Sequence, residues 1–190
     1  MLLATRFVVI RHGESDANRK GIISDKYVDH PLTEKGLQQA RQTAELLNDV
    51  KLDVIFSSTR RRAISTSQIV NEFHGVDIVL CPELIERDYG TFGGKDKYAA
   101  ENEMLKQGFG WFEIPKSETS KEMDQRVALT IKRAILGYNG KTILVSTHED
   151  IVRTFYRILA GKSESESLNV GIPNCSAHTF ATTSFPITPQ

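Results

Sequence analysis

The sequence predicts a three-layer α/β/α fold around a mostly parallel central sheet. Four short apolar runs, rich in β-branched residues, are typical of strands buried on both faces; they span residues 7–10, 53–56, 77–80 and 142–145. Helical patterns alternate with these runs, and that alternation is typical of a parallel sheet covered by helices on both faces. A chain of 190 residues lies within the size range of one domain, so we expect a single domain over residues 1–190.

The spacing of apolar residues predicts four helices. Thr33 is suited to cap the first of them, because a hydroxyl before the first turn can accept a backbone N–H. The apolar face of that helix is formed by Leu37, Ala40, Ala44 and Leu47. Similar spacing continues over residues 63–73 and 123–134. The fourth helix spans residues 150–160 and ends before Gly161, a residue that readily adopts the left-handed conformation.

Residues 89–121 are the exception, since glycine, lysine, glutamate and aromatic residues mix there without a clear period. The segment is either an excursion over the sheet or a cap over a substrate. We favour the cap, because loops on α/β scaffolds often carry specificity. Its larger apolar side chains could line an entrance or form a small core of their own: Met104, Leu105, Phe109, Trp111, Phe112 and Ile114.

Composition excludes several classes of function. Lys plus Arg and Asp plus Glu number 24 each, so no global field favours nucleic acid or an anionic membrane as a partner. No apolar stretch reaches the roughly 18–20 residues of a membrane helix, and the first ten residues do not resemble a signal peptide. We therefore expect a cytoplasmic protein. Cys81 and Cys175 lack the spacing of metal ligands, so neither a metal nor another cofactor is predicted.

Two histidines follow predicted strands. His12 lies in the run Arg11-His12-Gly13-Glu14-Ser15, directly after the first strand, and His148 follows the fourth. Because the carboxyl ends of parallel strands face one ligand crevice, these residues can be close in space. A lone histidine is more often structural, but the basic neighbours Arg11 and Arg60–Arg62 favour a phosphoryl-transfer site.

Six blocks in a fixed order, over about residues 6–180, carry a family resemblance. Residues 11–15, with Asn18 three positions on, resemble the signature of the histidine phosphatase superfamily, the phosphoglycerate mutase-like proteins. The later blocks, each similar to one of that family, are Pro31-Leu32-Thr33 with Gly36 and Gln39-Ala40, residues 58–66, residues 86–90 with Gly93, Ser146-Thr147-His148, and residues 173–176. The resemblance implies the family fold, with residues 89–121 as a small cap insertion.

The resemblance also implies roles. His12 would attack phosphorus and become a phosphohistidine that water hydrolyses, which requires the attacking nitrogen to be unprotonated and the other to donate to a fixed acceptor. Arg11 and Arg62 would bind the phosphoryl oxygens, a task suited to the guanidinium fork. His148 would donate to the same group. Glu86 would be the general acid and then the base, provided that its pKa is raised.

Other candidates are less specific. Glu83 and Asp88 compete with Glu86 for the acid role. Asn18 is a predicted neutral donor to the phosphoryl oxygens, with a turn role as the alternative. Gly21 and Ile22 are predicted to form a wall of the substrate pocket, with ordinary loop packing as the alternative. Arg60 and Arg61 form either a basic entrance or a solvated helix start, and we favour the solvated interpretation.

Glu149 departs from the glycine that usually follows the second histidine in the family. A carboxylate aimed at phosphate would repel it, whereas at a helix N-terminus the dipole favours the charge by ~0.3–1 kcal/mol. We therefore expect Glu149 to point away from the pocket. If it points inward, a raised pKa of His148 and an unusual substrate are expected.

The acceptor of the phosphoryl group is predicted from the 89–121 segment. A mutase must hold its substrate with fixed cations, yet no arginine lies between Arg87 and Arg126. We therefore predict a metal-independent phosphatase acting on a small phosphomonoester, with a phosphoprotein as the other substrate class and a homodimer left open. The alternatives are a mutase and a phosphate-recognising regulatory protein with little turnover; the second would not need His12, Glu86 and His148 together.

Overall fold

A computed structural model describes residues 3–25 and 27–184, apart from the side chain of Phe112. The predicted fold class is confirmed: helices cover a central sheet whose described strands are ordered β3-β2-β4-β1-β5. The strands are β1 (Thr5–Arg11), β2 (Val54–Ser57), β3 (Ile78–Leu80), β4 (Thr142–Thr147) and β5 (Ala177–Thr182). The first four are parallel, and β5 pairs antiparallel with β1 at one edge. β5 was not predicted, because only Phe180 of its side chains is buried.

The described helices include all four that the sequence predicts. They are α1 (Asp16–Lys20), α2 (Glu34–Leu47), α3 (Arg61–Asn71), α4 (Lys97–Gln107), α5 (Ser120–Gly137), α6 (Glu149–Ala160) and α7 (Glu164–Leu168). Thr33 caps α2 by accepting the Gly36 N–H at 3.0 Å, and Gly161 closes α6 at φ 64°. None of the helices in the described ranges is long and apolar enough to span a membrane.

The core lies on both faces of the sheet, which explains the continuous apolar runs. Phe7 and Val9 of β1 pack in the cluster under α5 and α6, while Val8 and Ile10 pack under α2 and α3. Alternate residues of a strand point to opposite faces, so a strand covered by helices on both sides has no position that faces solvent and favours a polar residue. The runs are therefore apolar throughout until the strand ends, where the polar chemistry begins.

The 89–121 segment has its own small core. α4 and two short 3₁₀ turns, at residues 90–92 and 111–113, surround a cluster of Ile23, Phe92, Ala100, Met104 and Ile114. Of the apolar residues predicted there, Met104 and Ile114 are buried in this core, and Leu105 is 79% exposed. The helix α4 was missed, because only Ala100 and Met104 of its side chains are buried and the apolar face is narrow.

Arg87 forms hydrogen bonds with the second half of this segment. Its Nε donates to the Glu118 carbonyl at 2.8 Å, its Nη1 to the Trp111 carbonyl at 2.8 Å and its Nη2 to Ser117 Oγ at 3.0 Å. The side chain is only 2% exposed. One buried guanidinium therefore satisfies two backbone carbonyls and one hydroxyl of this irregular segment.

Candidate active site

The two strand-end histidines meet at the carboxyl edge of the sheet. β1 and β4 are neighbours, and the His12 backbone N–H donates to the Thr147 carbonyl at 2.9 Å. The ring centroids of His12 and His148 are 5.1 Å apart. The parallel pairing thus brings together two side chains that are separated by more than two thirds of the sequence.

Close backbone packing fixes the loop after His12. The Gly13 N–H donates to Thr66 Oγ1 at 3.1 Å, which ties the loop to α3. A Cβ atom on Gly13 would lie 2.4 Å from the Gly36 carbonyl oxygen, and one on Gly36 would lie 2.0 Å from that of Glu14. Both positions therefore require glycine for close approach of two backbones. The result is a histidine held on a rigid support.

His12 has the tautomer that a nucleophile needs. Its Nδ1 lies 2.7 Å from the Gly13 carbonyl, which can only accept, so Nδ1 carries the proton. Its Nε2 accepts a hydrogen bond from Arg62 Nε at 3.0 Å, so Nε2 presents a lone pair. Burial, followed by the charges of Arg62 and Arg11, holds the pKa of His12 well below its usual value. The ring is therefore neutral at physiological pH.

Arg62 connects the two histidines from inside the protein. The side chain is 2% exposed, and its Nη2 donates to Ser24 Oγ at 2.9 Å and to His148 Nδ1 at 3.1 Å. Its Nη1 is buried without a hydrogen-bond partner among the described residues, and the Asp29 carboxylate is 3.9 Å away. A buried donor without an acceptor is costly, and an oxyanion in the cavity would satisfy it.

Arg11 also keeps an unused donor. Its Nη1 donates to the Ile172 carbonyl at 2.6 Å and pairs with Glu149 Oε2 at 3.0 Å. Its Nε is buried and has no hydrogen-bond partner within the described ranges. The two arginines predicted to bind the phosphoryl group thus both line the cavity, and each has a buried N–H without a hydrogen-bond partner among the described residues.

His148 lies behind Arg62. It is fully buried, and it is absent from the residues that line the cavity. Because Arg62 Nη2 is always a donor, His148 Nδ1 accepts from it, and Nε2–H then donates to Ser58 Oγ at 2.8 Å. Burial and the Arg62 charge hold the pKa of His148 well below its usual value. His148, which the sequence predicts as a donor to the phosphoryl group, therefore accepts a hydrogen bond at Nδ1, the nitrogen that faces Arg62.

Glu86 lines the cavity and has the raised pKa expected of a general acid. Burial, reinforced by the negative charge of Asp150, raises its pKa to about 7, while the Arg87 N–H and the Arg62 charge oppose that rise. The competing carboxylates are placed elsewhere. Glu83 pairs with Arg133 at 2.8 Å and Asp88 accepts from the Gly90 N–H at 2.9 Å, and neither lines this cavity.

The expectation that Glu149 points away is wrong. Glu149 lines the cavity, where its Oε2 pairs with Arg11 and its Oε1 pairs with Arg153 Nη2 at 2.6 Å. The two arginines draw the carboxylate inward more strongly than the helix dipole holds it at the surface. The raised pKa of His148 that an inward Glu149 would imply is also absent, because burial and Arg62 dominate that ring.

Three residues at the start of α6 form one wall of the cavity, the α6 wall: Glu149, Asp150 and Arg153. Arg153 Nη1 pairs with Asp150 Oδ1 at 2.8 Å, and the Tyr89 hydroxyl donates to Asp150 Oδ2 at 2.8 Å. Asp150 and Arg153 were not among the sequence candidates. The four-residue spacing of Glu149 and Arg153 on a helix is the signal that could have found them.

The three predicted substrate-binding residues are placed differently. Asn18 and Ile22 line the cavity, but Gly21 does not. Asn18 Oδ1 accepts from the backbone and the hydroxyl of Ser15, so the amide has its Nδ2 group to offer as a donor. Gly21 instead ends α1 at φ 64° and shapes the turn that carries Ile22.

Arg60 and Arg61 lie outside the cavity lining. Arg60 Nη2 donates to the Asp25 carbonyl at 3.1 Å. Arg61 is exposed, and its backbone N–H donates to the Asp29 carboxylate at 2.9 Å, at the start of α3. Both therefore belong to the helix start and its neighbours rather than to a basic entrance.

The cavity between these walls measures about 240 Å³. Tyr89, Lys97 and Trp111 also line the cavity, so the 89–121 segment forms part of its wall. Leu168 of α7 adds an apolar patch. Among the described residues, no group of three histidine, cysteine or acidic side chains is arranged to hold a metal ion.

A strand-end histidine beside two arginines, on an α/β/α sheet, defines a phosphoryl-transfer protein of the histidine phosphatase class. The chain belongs to the histidine phosphatase superfamily (branch 1), whose family model matches residues 7–184. The resemblance of the six sequence blocks is thereby confirmed. Phosphatase- or mutase-type phosphoryl transfer is the chemistry of its relatives.

Relatives with both activities are similar to this chain. A 2,3-bisphosphoglycerate-dependent phosphoglycerate mutase of Thermoplasma acidophilum is 32% identical over 171 residues, covering 89% of this chain and 83% of the mutase. The uncharacterized phosphatase PhoE of Bacillus subtilis is 29% identical over 157 residues, covering 83% of this chain and 78% of that protein. A mycobacterial glucosyl-3-phosphoglycerate phosphatase has the same fold, with a TM-score of 0.83 at 21% identity over 94% of this chain and 90% of its own.

Proposed function

We propose that this protein is a phosphomonoester hydrolase that works through a phosphohistidine on His12. The observation that carries the proposal is the unprotonated Nε2 of His12. The His12 ring is neutral and lines the cavity, and its Nε2 accepts a hydrogen bond from Arg62, an arginine that also has an unpartnered Nη1 within the described ranges. A nucleophile, an anion site and a protonatable carboxyl group around one small cavity are the parts that metal-free phosphoryl transfer needs.

The reaction has two steps. The Arg62 Nε–H, which donates to His12 Nε2 in the free protein, first turns to a phosphoryl oxygen and frees the lone pair. His12 Nε2 then attacks phosphorus as the ester P–O bond breaks, and the leaving alcohol oxygen takes the proton of the Glu86 carboxyl group. Water then attacks the phosphohistidine, its proton passes to the Glu86 carboxylate, and the N–P bond breaks to release phosphate. A pKa of about 7 for Glu86 allows both roles near neutral pH. His12 Nδ1–H, bonded to the Gly13 carbonyl, stabilises the positive charge that the ring acquires.

Arg11 Nε and Arg62 Nη1 bind the phosphoryl oxygens in this mechanism. His148 first acts by holding Arg62 in place. To donate to the phosphoryl group itself, His148 needs its proton on Nδ1; the Ser58 hydroxyl, now 2.8 Å from Nε2, would then turn to donate to Nε2. Because a hydroxyl can donate or accept, Ser58 supports either tautomer.

A small phosphomonoester suits the cavity better than a phosphoprotein does. Its volume of about 240 Å³ is below the ~300–1,000 Å³ of sites for drug-sized ligands. The 89–121 segment, as a cap, contributes Tyr89, Lys97 and Trp111 to the wall of the cavity. A folded phosphoprotein would need an open groove in place of that wall.

A phosphoglycerate mutase is the second candidate, favoured by the 32% identity to the Thermoplasma acidophilum mutase. A mutase returns the phosphoryl group to a bound acid, and this needs free cations in the cavity. Arg153 has both terminal nitrogens paired with Glu149 and Asp150, and Arg87 is engaged by three acceptors of the 89–121 segment. These pairings favour water as the acceptor.

The first experiment measures phosphate release from p-nitrophenyl phosphate in the presence of EDTA, followed by a panel of sugar phosphates, phosphoglycerates, nucleotides and phosphopeptides. We expect turnover by the wild type and loss of at least ~10³-fold in His12→Ala, because the covalent step is removed. His74→Ala, at a histidine outside the cavity lining, is the matched control and should retain activity.

A base-stable phosphoenzyme, formed by the wild type and absent from His12→Ala, is the second readout. An inert wild type that interconverts phosphoglycerates when primed with bisphosphate would establish the mutase instead. Tight phosphopeptide binding without turnover would establish a recognition protein.

A further inference from the structure

The charged side chains of the α6 wall form ion pairs with one another and with Arg11. Glu149 Oε2 pairs with Arg11 at 3.0 Å and Oε1 pairs with Arg153 at 2.6 Å, while the other terminal nitrogen of Arg153 pairs with Asp150 at 2.8 Å. The Glu149 side chain is 28% exposed and that of Arg153 is 15% exposed, so the network is largely shielded from water. Both terminal nitrogens of Arg153 are therefore held by carboxylates, and only its buried Nε has no hydrogen-bond partner among the described residues.

This arrangement treats two kinds of substrate differently. A carboxylate or second phosphate next to the phosphoryl group would have to compete with Glu149 and Asp150 for Arg11 and Arg153, and its charge would be repelled by those two carboxylates. A hydroxyl group can instead donate to the same oxygens. Lys97 is a cation in the lining that could offset the repulsion, but it is exposed and its Nζ lies 5.8 Å from the Trp111 ring centroid. A solvated lysine compensates weakly.

We propose that Glu149 is a specificity-determining residue that selects phosphomonoesters with an uncharged, hydroxylated organic part and rejects those with a second acidic group. The proposal rests on the phosphatase function of the same site. Because Glu149 touches both Arg11 and Arg153, neutralising it changes the charge of the wall and releases a donor of each arginine to the substrate.

Racemic glycerol 3-phosphate and racemic 3-phosphoglycerate test this selection, since they differ only in a hydroxymethyl group or a carboxylate. We expect the wild-type kcat/KM to favour glycerol 3-phosphate by roughly tenfold or more. Glu149→Gln and Glu149→Gly should each shift that ratio toward 3-phosphoglycerate by about tenfold. The ratio cancels any effect on phosphoryl transfer that both esters share.

The matched control is Glu103→Gln, which removes a carboxylate paired with Lys95 at 3.0 Å on the 89–121 segment, outside the cavity lining. Its ratio should equal that of the wild type. An unchanged ratio in both Glu149 variants would overturn the proposal. A shift of the kcat/KM ratio in Glu149→Gly but not in Glu149→Gln would also overturn the proposal, because the size of the side chain and not its charge would then determine the preference.

Binding separates this proposal from the proposed function. Calorimetric titration of His12→Ala with both esters measures selection without turnover, and Glu149→Gln in that background should abolish the preference. If the wild type releases no phosphate, but His12→Ala prefers glycerol 3-phosphate and the added Glu149→Gln substitution abolishes that preference, the proposed function fails while the selection by Glu149 holds. Equal binding of the two esters to His12→Ala overturns the selection.

Discussion

The two sides of the cavity use their arginines in opposite ways. Around His12, Arg62 Nη1 and Arg11 Nε are buried without hydrogen-bond partners among the described residues. On the α6 wall, both terminal nitrogens of Arg153 are paired with carboxylates of the same helix, and only its Nε is buried without a hydrogen-bond partner in the described ranges. Unpaired donors are costly to fold and ready for an anion, whereas paired ones are stable and unavailable. The comparison separates an arginine with a terminal nitrogen that has no acceptor in the described ranges, Arg62, from one whose terminal nitrogens are both held by carboxylates, Arg153.

The difference between the two sides depends most on Arg62, so Arg62→Lys is expected to have the largest effect on activity. A lysine supplies the charge but cannot donate at once to His12, Ser24, His148 and an oxyanion. We expect kcat/KM to fall by about 10³-fold on all active esters. Arg61→Lys, at the exposed neighbouring position, should change activity less than twofold. Equal activity of Arg62→Lys and the wild type would show that charge alone suffices at this side.

Glu86→Gln sharpens the contrast by testing the acid between the two sides. We expect kcat to fall by about 10²-fold for an alkyl ester and much less for p-nitrophenyl phosphate, whose leaving oxygen needs no proton. Because the acid must be protonated, the wild-type rate on the alkyl ester should fall as pH rises through about 7. The variant should lose this limb. Equal losses on both esters would remove Glu86 from the acid role.

The same raised pKa predicts a change in stability. A carboxyl group whose pKa rises on folding binds its proton more tightly in the folded state, so its contribution is complete at pH 4 and is lost as pH rises through about 7. Glu86→Gln should therefore melt at a higher temperature than the wild type at pH 8 and show a smaller difference at pH 5. Glu83→Gln, at a carboxylate outside the cavity lining, is the control for both measurements.

Ser58→Ala gives the smallest expected effect, because Ser58 acts only through His148. Losing one hydrogen bond to His148 Nε2 should lower kcat by about tenfold with little change in KM. The pH profile should shift as well, since His148 loses the partner that accepts its proton. Ser67→Ala, a buried serine of α3 that bonds the Ile64 carbonyl, is the control for packing. An unchanged pH profile would reduce Ser58 to a structural residue.

Much of the fold was predictable, because β1 and β4 and the helices α2 and α6 carry strong periodic patterns. The strand-end placement of His12 and His148 followed from the same pattern. The edge strand β5 and the helix α4 were missed, since each buries few side chains on one side and so lacks a clear apolar period. Local sequence encodes the strongly amphipathic elements and leaves the weakly buried ones to tertiary contacts.

The candidate site was predicted only in part. Arg11, His12, Arg62 and Glu86 do line one cavity, but the shielding of His148 by Arg62 depends on distances that no motif contains. The inward turn of Glu149 was predicted wrongly, because Arg11 comes from β1 and meets Glu149 only after folding. Ion pairs across elements were therefore the part that sequence reasoning could not supply.

The buried tether formed by Arg87 has a consequence for how this protein can change. Arg87 directly follows Glu86 in the chain, and its guanidinium bonds Trp111, Ser117 and Glu118. Any insertion or deletion in the 89–121 segment that moves those acceptors will also pull on the backbone that positions Glu86. We therefore expect a segment grafted from a relative to keep the backbone at Glu86 in place only when it preserves these three acceptors.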